Sequence, residues 1–556
     1  MVTGDLFKNL LKGKTIAFGA TVSFLISYSL FFGFLCDRQI TGFKAYYPFV
    51  FILVWAAAFL LCVLLWALID RINLKVSKKD EKAEEEIGAK KKITLFFVSA
   101  VLIFSAWVPC LLASWPGFFS YDASKEFVQI WYPEVPIWGR ISIIHSALLL
   151  LCCKIGNKLF GDFNSGIALF SIIHMLLGAF VLAYETVFLY ALKRKKYIYF
   201  ISVCYFMFAP VIALFSGCSN STIFGSLLST LLMLRFYEIF CLDSLKEKSI
   251  ARKIAGYAGF AILAILTCHI RSSFSFLFSL MTVYVIVKKI KKPQKIIYMA
   301  TVFVMIFAFN KGIVKIVNAE NPPDSELFSI PVQQLANVYV KNGEAAFSKD
   351  ESEVLFKYFA KGHFDFYCPW CADAIKLGLN DEEFEKRPGD FWKLWIKKGV
   401  RYPFEYLEAW NYLTYEAWYP FCVPDGYTRR NYIESDYTSD YFKVNLESPA
   451  ELESKIPALY EAIRQFSTET EIFKIPLIGQ ICTIGWQYLF LLFALGYLLH
   501  AKRKELRFIN AANFAYFAMM LFAPLVLVRY HLLMFYLFPL TLASLFGNPA
   551  DFEKGE

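Results

Sequence analysis

The chain has 556 residues, 57% of them hydrophobic, and a formal net charge of +10. Soluble domains contain about 45–50% apolar residues; here the excess lies in runs of about 20 residues, the length that crosses a bilayer, which excludes a soluble globular protein. The basic residues cluster in short loops between these runs, which indicates orientation in a membrane rather than binding of nucleic acid.

The apolar runs predict a polytopic α-helical membrane protein with about twelve membrane-spanning helices. The first run is too long for the apolar part of a signal peptide and no cleavage site follows it, so we expect a retained helix. The predicted spans lie near residues 15–36, 48–70, 93–114, 166–192, 197–217, 222–242, 254–270, 272–288, 296–316, 476–499, 508–528 and 532–547.

The loops between these runs predict the orientation of the protein in the cell membrane. Loop 71–92 carries eight Lys or Arg residues and loop 288–295 carries five, whereas loop 218–221 carries none. By the positive-inside rule, both termini and all the basic loops are cytoplasmic. The apolar stretch 141–157 would invert every later loop if it crossed, so we expect it to lie in the outer interface or to re-enter the membrane.

These assignments divide the chain into four parts. Residues 1–92 form two helices and a charged cytoplasmic linker, and residues 93–316 form a transmembrane module whose long outer loop is 115–165. Residues 317–474 are polar with mixed charge, and we expect them to form a mostly helical extracytoplasmic domain. Residues 475–556 form the last three helices and a cytoplasmic tail.

The first outer loop reaches Tyr121 and Asp122 a few residues after a predicted span. Pro116 and Gly117 end that helix, which lets the chain turn along the membrane surface. A carboxylate at this position is close to water but partly desolvated, which suits a general base. A solvated loop aspartate, or a cap for the helix that contains Glu126, is the alternative interpretation.

Polar residues elsewhere on the outer side extend the candidate site. His145, in the apolar stretch, suits a phosphate contact or the orientation of a substrate, although a hydrogen-bonded interfacial histidine is the simpler interpretation. Asn220 lies in the outer turn between two predicted spans, where capping of the next helix is the default role.

Two arginines stand at the outer ends of predicted spans, where basic residues are rare in this chain. Arg271 ends the segment Cys-His-Ile-Arg, and Arg529 is followed by Tyr530 and His531. A guanidinium fork matches phosphate geometry, so both suit a lipid phosphate or pyrophosphate, and snorkelling toward headgroups is the alternative. We favour anion binding, because both arginines fall in very short turns.

Three of the thirteen cysteines lie outside the apolar segments. Cys368 and Cys371 have the spacing of a redox motif or half a zinc site, but the sequence shows neither a thioredoxin-like context nor a second ligand pair. On the outer face a structural disulfide is expected instead, with Cys422 as one candidate partner. Three cysteines leave one thiol over, and the sequence does not decide which.

The order of these features resembles the C-type superfamily of integral-membrane glycosyltransferases, which use polyprenyl-phosphate sugars. A nearer resemblance is to a poorly characterised family of this type in Gram-positive bacteria. The matching segments are Trp115-Pro116-Gly117 with Tyr121-Asp122, Ile330-Pro331-Val332-Gln333-Gln334-Leu335-Ala336, Tyr402-Pro403-x-x-Tyr406, Trp418-Tyr419-Pro420 and Arg529-Tyr530-His531.

The resemblance implies a mechanism. Asp122 would take the proton of an acceptor hydroxyl, which attacks the anomeric carbon and inverts it, while Arg271 and Arg529 neutralise the leaving phosphate. The extracytoplasmic domain would cover the site, with Gln333 and Gln334 offering hydrogen bonds to the sugar. The other candidate substrate-binding residues are Tyr121, Glu126, His145, Asn220, Tyr530 and His531.

Two positions depart from that family pattern. Relatives often carry His-Pro in the first outer loop, where this chain has His145-Ser146. They often carry an acidic residue in the second outer turn, where this chain has Ser219-Asn220. If that carboxylate helps to bind a metal or the acceptor, this protein works differently or with reduced activity.

The expected function is transfer of a sugar from a polyprenyl phosphate to a cell-envelope polymer, lipid or protein on the outer face of the membrane. Its partners are then membrane lipid, the lipid-linked sugar and the acceptor. No motif indicates a cofactor or a metal site. A requirement for a divalent metal is not excluded, but no residue pattern supports it. A multi-pass transporter or a flippase of lipid-linked glycans is the alternative, and a glycan polymerase or ligase is a variant of the same chemistry.

Overall fold

The structure is a computed structural model of the chain. It describes residues 13–42, 44–79, 87–118, 122–131, 135–139, 142–193, 195–320, 328–422, 452–468, 475–476 and 478–547. Within these ranges the chain forms helices joined by turns and short loops, and no β-strand.

The helices follow one another closely along the chain. In order, they are α1 (Gly13–Asp37), α2 (Tyr47–Lys79), α3 (Ala89–Ala113), α4 (Asp122–Trp131), α5 (Ile143–Phe160), α6 (Phe163–Lys193), α7 (Lys196–Phe208), α8 (Pro210–Phe215), α9 (Ser221–Phe236), α10 (Ile250–Ile270), α11 (Phe274–Lys288), α12 (Pro293–Ile316), α13 (Ser329–Asn342), α14 (Lys349–Tyr358), α15 (Asp373–Lys376), α16 (Asp381–Lys386), α17 (Pro388–Arg401), α18 (Pro403–Trp418), α19 (Pro457–Thr468), α20 (Ile478–Cys482), α21 (Ile484–His500), α22 (Arg507–Met520), α23 (Leu532–Tyr536) and α24 (Phe538–Ser544).

Eight of the described helices are long and apolar enough to cross a bilayer: α1, α2, α3, α5, α6, α9, α10 and α12. About 20 residues at 1.5 Å each span the hydrocarbon core. A π-helical turn, Tyr237–Cys241, lengthens α9 to that size. The prediction of a polytopic α-helical membrane protein is confirmed at this level.

The predicted number of about twelve spans is not confirmed. The predicted span 197–217 breaks into α7 and α8 before Pro210, because proline has no N–H to continue the helix. The span 532–547 divides into α23 and α24 close to Pro539. The apolar helices α11 and α21 have only 15 and 17 residues, and α22 has 14.

The apolar stretch 141–157 forms most of α5. Because α5 is one of the eight helices long enough to span, its expected place in the outer interface stays a prediction. It forms a hairpin with α6, in which a Cβ on Gly156 would lie only 2.2 Å from the Gly166 backbone nitrogen. Small residues at such a contact let two helices approach closely.

The segment after α12 has a hydrophobic core of its own, which includes Leu335, Phe391 and Tyr406. Its last helix, α18, continues beyond this core and packs against α1 and α21. There the Tyr28 hydroxyl donates a hydrogen bond to Asn411 Oδ1 at 2.5 Å. The domain is therefore attached to the helix bundle along α18.

Backbone hydrogen bonds join the predicted outer segments at one end of the bundle. Gly139 N donates to Glu320 O at 2.8 Å, and Glu453 N donates to Trp115 O at 2.8 Å. Segments that are far apart in the chain therefore meet where the candidate residues lie.

Candidate functional site

The first outer loop is fastened to the turn before α9. Phe118 N donates to Gly217 O at 3.0 Å, and Ser219 N donates to Phe118 O at 2.9 Å. Only glycine fits at Gly117, where φ is +142° and a Cβ would lie 2.0 Å from the Ser171 hydroxyl oxygen. The Pro-Gly break therefore turns the chain onto the bundle shortly before α4.

The helix α4 begins at Asp122, the predicted base. It is anchored by Ala123 and Phe127, which are buried in a cluster with residues of α5 and α6. The side chain of Asp122 and all of Tyr121 lie outside the described part of the chain, so their roles stay predictions. Glu126 follows Asp122 by four residues, about one helical turn, and is fully buried.

Glu126 pairs with His145 in the first turn of α5. Glu126 Oε2 and His145 Nδ1 are within hydrogen-bond distance, and Ser142 caps α5 by accepting a hydrogen bond from His145 N at 3.3 Å. In the described ranges, Glu126 Oε1 and His145 Nε2 are buried and have no hydrogen-bond partner. An unpaired buried polar atom costs about 1–3 kcal/mol, so two together indicate a place where a ligand or water binds.

His174 of α6 adds a second imidazole, which sequence analysis did not place in the site. Its ring centre lies 5.7 Å from that of Phe224, and the His145 ring centre lies 5.4 Å from the same phenylalanine. His174 is 1% exposed, so its imidazole is enclosed by the protein. An ionisable residue inside an apolar run is itself a signal of function, but its approach to His145 depends on the α5–α6 hairpin.

The two outer arginines meet at Tyr530. Arg271 donates to the Thr222 hydroxyl in the first turn of α9, and its guanidinium carbon lies 4.4 Å from the centre of the Tyr530 ring. The Arg529 guanidinium carbon lies 5.4 Å from the same ring centre, and Arg529 is 7% exposed. Cation–π contacts of this kind hold the two positive charges beside one aromatic ring.

Asn220 and His531 are buried at this end as well. Asn220 Oδ1 accepts a hydrogen bond from Thr222 N at 2.9 Å, so it performs the capping role that its position predicts. His531 packs its ring 5.4 Å from that of Phe517. Burial lowers the pKa of His531 to about 3, which makes it a neutral imidazole at pH 7.

Gln333 and Gln334, predicted to contact the sugar, form hydrogen bonds inside the domain that follows α12. Gln333 Nε2 donates to Cys368 O at 2.6 Å. Gln334 Oε1 accepts from Trp395 Nε1 at 2.9 Å, and its amide nitrogen donates to Tyr406 O at 3.3 Å. These bonds hold the helices of the domain together, whereas Gln333 Oε1 is buried without a partner among the described residues. The sugar contacts therefore stay a prediction.

The predicted disulfide is absent from the structure, in which all thirteen cysteines are described and none forms a disulfide. Cys371 N donates to Cys368 O at 3.2 Å in a tight turn, and burial raises the pKa of Cys371 to about 11. Cys422 belongs instead to the hydrophobic core of the helix bundle. The described residues also contain no group of three His, Cys, Asp or Glu that could hold a metal ion.

The fold and this buried end define a polytopic helical membrane protein with a carboxylate–imidazole pair and two arginines at one end of its bundle. The chain belongs to a family of unknown function, DUF6020, whose sequence profile matches residues 142–548. No curated protein and no solved structure matched the chain. The matched region contains His145 and both arginines, whereas Asp122 and Glu126 precede it.

Proposed function

We propose that this protein is a membrane glycosyltransferase that moves a sugar from a polyprenyl phosphate to a cell-envelope acceptor at the outer face of the membrane. The observation that carries the proposal is the convergence of acidic, imidazole and guanidinium groups from separate segments at one end of the bundle. Such a transfer needs a base near the acceptor and cations near the leaving phosphate.

The reaction assigns a separate task to each kind of group. Asp122 takes the proton of the acceptor hydroxyl, whose oxygen bonds to the anomeric carbon as the bond from that carbon to the phosphate oxygen breaks. The configuration at the anomeric carbon inverts, and the bonding electron pair leaves with the phosphate. Arg271 and Arg529 stabilise the phosphate charge, since guanidinium groups form charge-assisted hydrogen bonds with phosphate oxygens.

The Glu126–His145 pair supports this reaction by positioning an imidazole. The carboxylate faces His145 Nδ1, which sets the ring orientation and leaves Nε2 for a substrate oxygen. The buried Nε2 has no partner among the described residues, as a group reserved for a ligand requires.

Mass spectrometry of lipid-linked sugars tests the proposal in membranes that contain the wild type, Asp122→Asn or no protein. We expect one polyprenyl-phosphate sugar to accumulate without the protein and with Asp122→Asn, because loss of a general base slows transfer about 10²–10⁴-fold. Asp350→Asn, at an exposed position of α14, is the matched control and should behave as wild type. An unchanged pool in all membranes, with each variant present at normal levels, would contradict the proposal.

A transporter or flippase of lipid-linked glycans is the second candidate, because α6 carries a fully buried carboxylate. Glu185 is 0% exposed within a helix long enough to cross the membrane. Intramembrane carboxylates are costly and mark substrate or proton pathways. This candidate expects Glu185→Gln to stop movement of a lipid-linked glycan across vesicle membranes while Asp122→Asn leaves it unchanged.

A further inference from the structure

A cavity of about 680 Å³ lies between the first turns of α10 and α12. It is at the end of the bundle opposite the candidate site, since α10 has 21 residues and is therefore about 30 Å long. The positive-inside rule assigns this end to the cytoplasm. The charged and aromatic residues that line the cavity are Lys253, Lys291, Lys292, Lys295, Tyr257 and Tyr298.

The lysines of this cavity outnumber the carboxylates that contact them. Lys292 lies 3.0 Å from Asp243, and Lys295 pairs with the same carboxylate. Lys253 and Lys291 form no ion pair within the described ranges. The cavity wall therefore keeps an excess of positive charge that no residue of the described chain neutralises.

The N-termini of α10 and α12 both lie at the cavity. Lys253 lies in the first turn of α10, which starts at Ile250, and Lys295 lies in the first turn of α12, which starts at Pro293. The partial positive charge of a helix N-terminus, about half a unit, favours anions. Here two such termini add to the charge of the lysines.

Exposed apolar side chains of α10 and α12 follow the lysines in the direction of the membrane. Ile254, which lines the cavity, and Ile297 are each 64% exposed. Exposed isoleucines beside the first turns of membrane helices are more stable in contact with acyl chains than with water. The cavity thus combines a cationic pocket for a phosphate with an apolar margin for hydrocarbon.

We propose that this cavity binds the headgroup of an anionic phospholipid from the cytoplasmic leaflet, with its acyl chains against the exposed isoleucines. A free phosphate would use the lysines but leave the isoleucines uncovered, and a zwitterionic lipid would not match the net charge. The inference is independent of the reaction proposed for the opposite end of the bundle.

Thermal unfolding of the purified full-length protein in a neutral detergent tests this site. Phosphatidylglycerol should raise Tm as its concentration increases, because a ligand that binds the folded state stabilises it. Phosphatidylcholine and inorganic phosphate at the same concentrations should leave Tm unchanged. Native mass spectrometry of the same samples should show retained phosphatidylglycerol.

The double variant Lys253→Gln/Lys291→Gln should raise the apparent Kd for phosphatidylglycerol about 25-fold, at about fivefold for each lysine. The matched control, Lys246→Gln/Lys248→Gln, removes the same charge from an exposed loop outside the cavity and should keep Kd within about twofold. Without lipid, all three proteins should share one Tm, which separates lost binding from lost folding.

Three results would overturn the proposal. Equal Tm shifts with phosphatidylglycerol and phosphatidylcholine would remove the role of charge. Equal affinity of wild type and Lys253→Gln/Lys291→Gln would place lipid binding elsewhere. An equal response to inorganic phosphate would identify a free-phosphate site.

Discussion

Two buried carboxylates of this protein differ in how completely their oxygens are paired with hydrogen-bond donors. Glu351, in the domain that follows α12, accepts hydrogen bonds from Lys398 Nζ at 2.6 Å and from Ser348 N at 2.7 Å. Glu126 contacts His145 and keeps one carboxylate oxygen without a partner among the described residues. Complete pairing is what a structural ion pair requires, whereas incomplete pairing in a buried site is maintained where a ligand binds.

Breaking the Glu351–Lys398 ion pair should give the largest effect on stability. Glu351→Gln leaves the ammonium of Lys398, which is 0% exposed, without its carboxylate. Loss of one partner of a buried ion pair costs about 3–5 kcal/mol, so the domain should unfold at a clearly lower temperature. Glu353→Gln changes an exposed carboxylate of the same helix and should leave Tm unchanged. Equal Tm values for the two variants would show that the Glu351 pair is not structural.

Glu126→Gln should have the opposite balance of effects from Glu351→Gln, because it should lower activity more than stability. We expect sugar transfer to fall about 100-fold, because the imidazole of His145 loses the carboxylate that orients it. The Tm should change much less than for Glu351→Gln. A loss of Tm as large as that of Glu351→Gln, with normal transfer by the folded protein, would assign Glu126 a structural role.

Gly117→Ala tests whether the first outer loop must be fastened to the bundle. A Cβ at this position meets the Ser171 hydroxyl at 2.0 Å in a backbone of φ +142°, and such strain costs about 1–3 kcal/mol. Transfer should fall together with Tm. Gly161→Ala has a φ of +80° but no atom within 4 Å, so it isolates the backbone cost. Equal behaviour of the two variants would exclude the contact with Ser171.

Acid should weaken the Glu351–Lys398 pair and lower Tm by less than the substitutions above. Burial raises the pKa of Glu351, but hydrogen bonds from Lys397 and Lys398 outweigh it and lower the pKa from 4.5 to about 2. A lowered pKa stabilises the folded state above pH 4.5, and this contribution is lost as the pH falls toward 2. The Tm of the wild type should therefore decrease across this range more than that of Glu351→Gln. Parallel curves for the two proteins would contradict this assignment.

The long membrane helices were predictable because each is encoded by one continuous apolar run of the sequence. The runs 166–192 and 296–316 are continuous, apolar and free of proline, and each forms a helix long enough to span. The predicted spans stay unconfirmed where the helix is interrupted, as at Pro210, or where an apolar run folds into short pieces, as in 532–547. Composition alone reports apolar length and does not report where a helix ends.

The candidate site was predictable only as separate residues. Arg271 and Arg529 stood out because outer basic residues are rare, but their meeting at Tyr530 depends on how α9, α10 and the last helices pack. The approach of His174 to His145 was unpredictable for the same reason. The hydrogen bond from Gln333 Nε2 to a carbonyl of its own domain was not predictable, because one sequence does not reveal which face of α13 is covered.

The stack of Arg271, Tyr530 and Arg529 has a consequence for the entropy of association. A guanidinium on a long side chain normally loses rotamer freedom when it captures an anion, at about 0.5–1.5 kcal/mol for each immobilised side chain. Here the aromatic ring at 4.4 and 5.4 Å restricts both side chains in the unliganded protein. That loss of entropy occurs during folding, so the phosphate of the proposed donor would bind to two cations that are already in place.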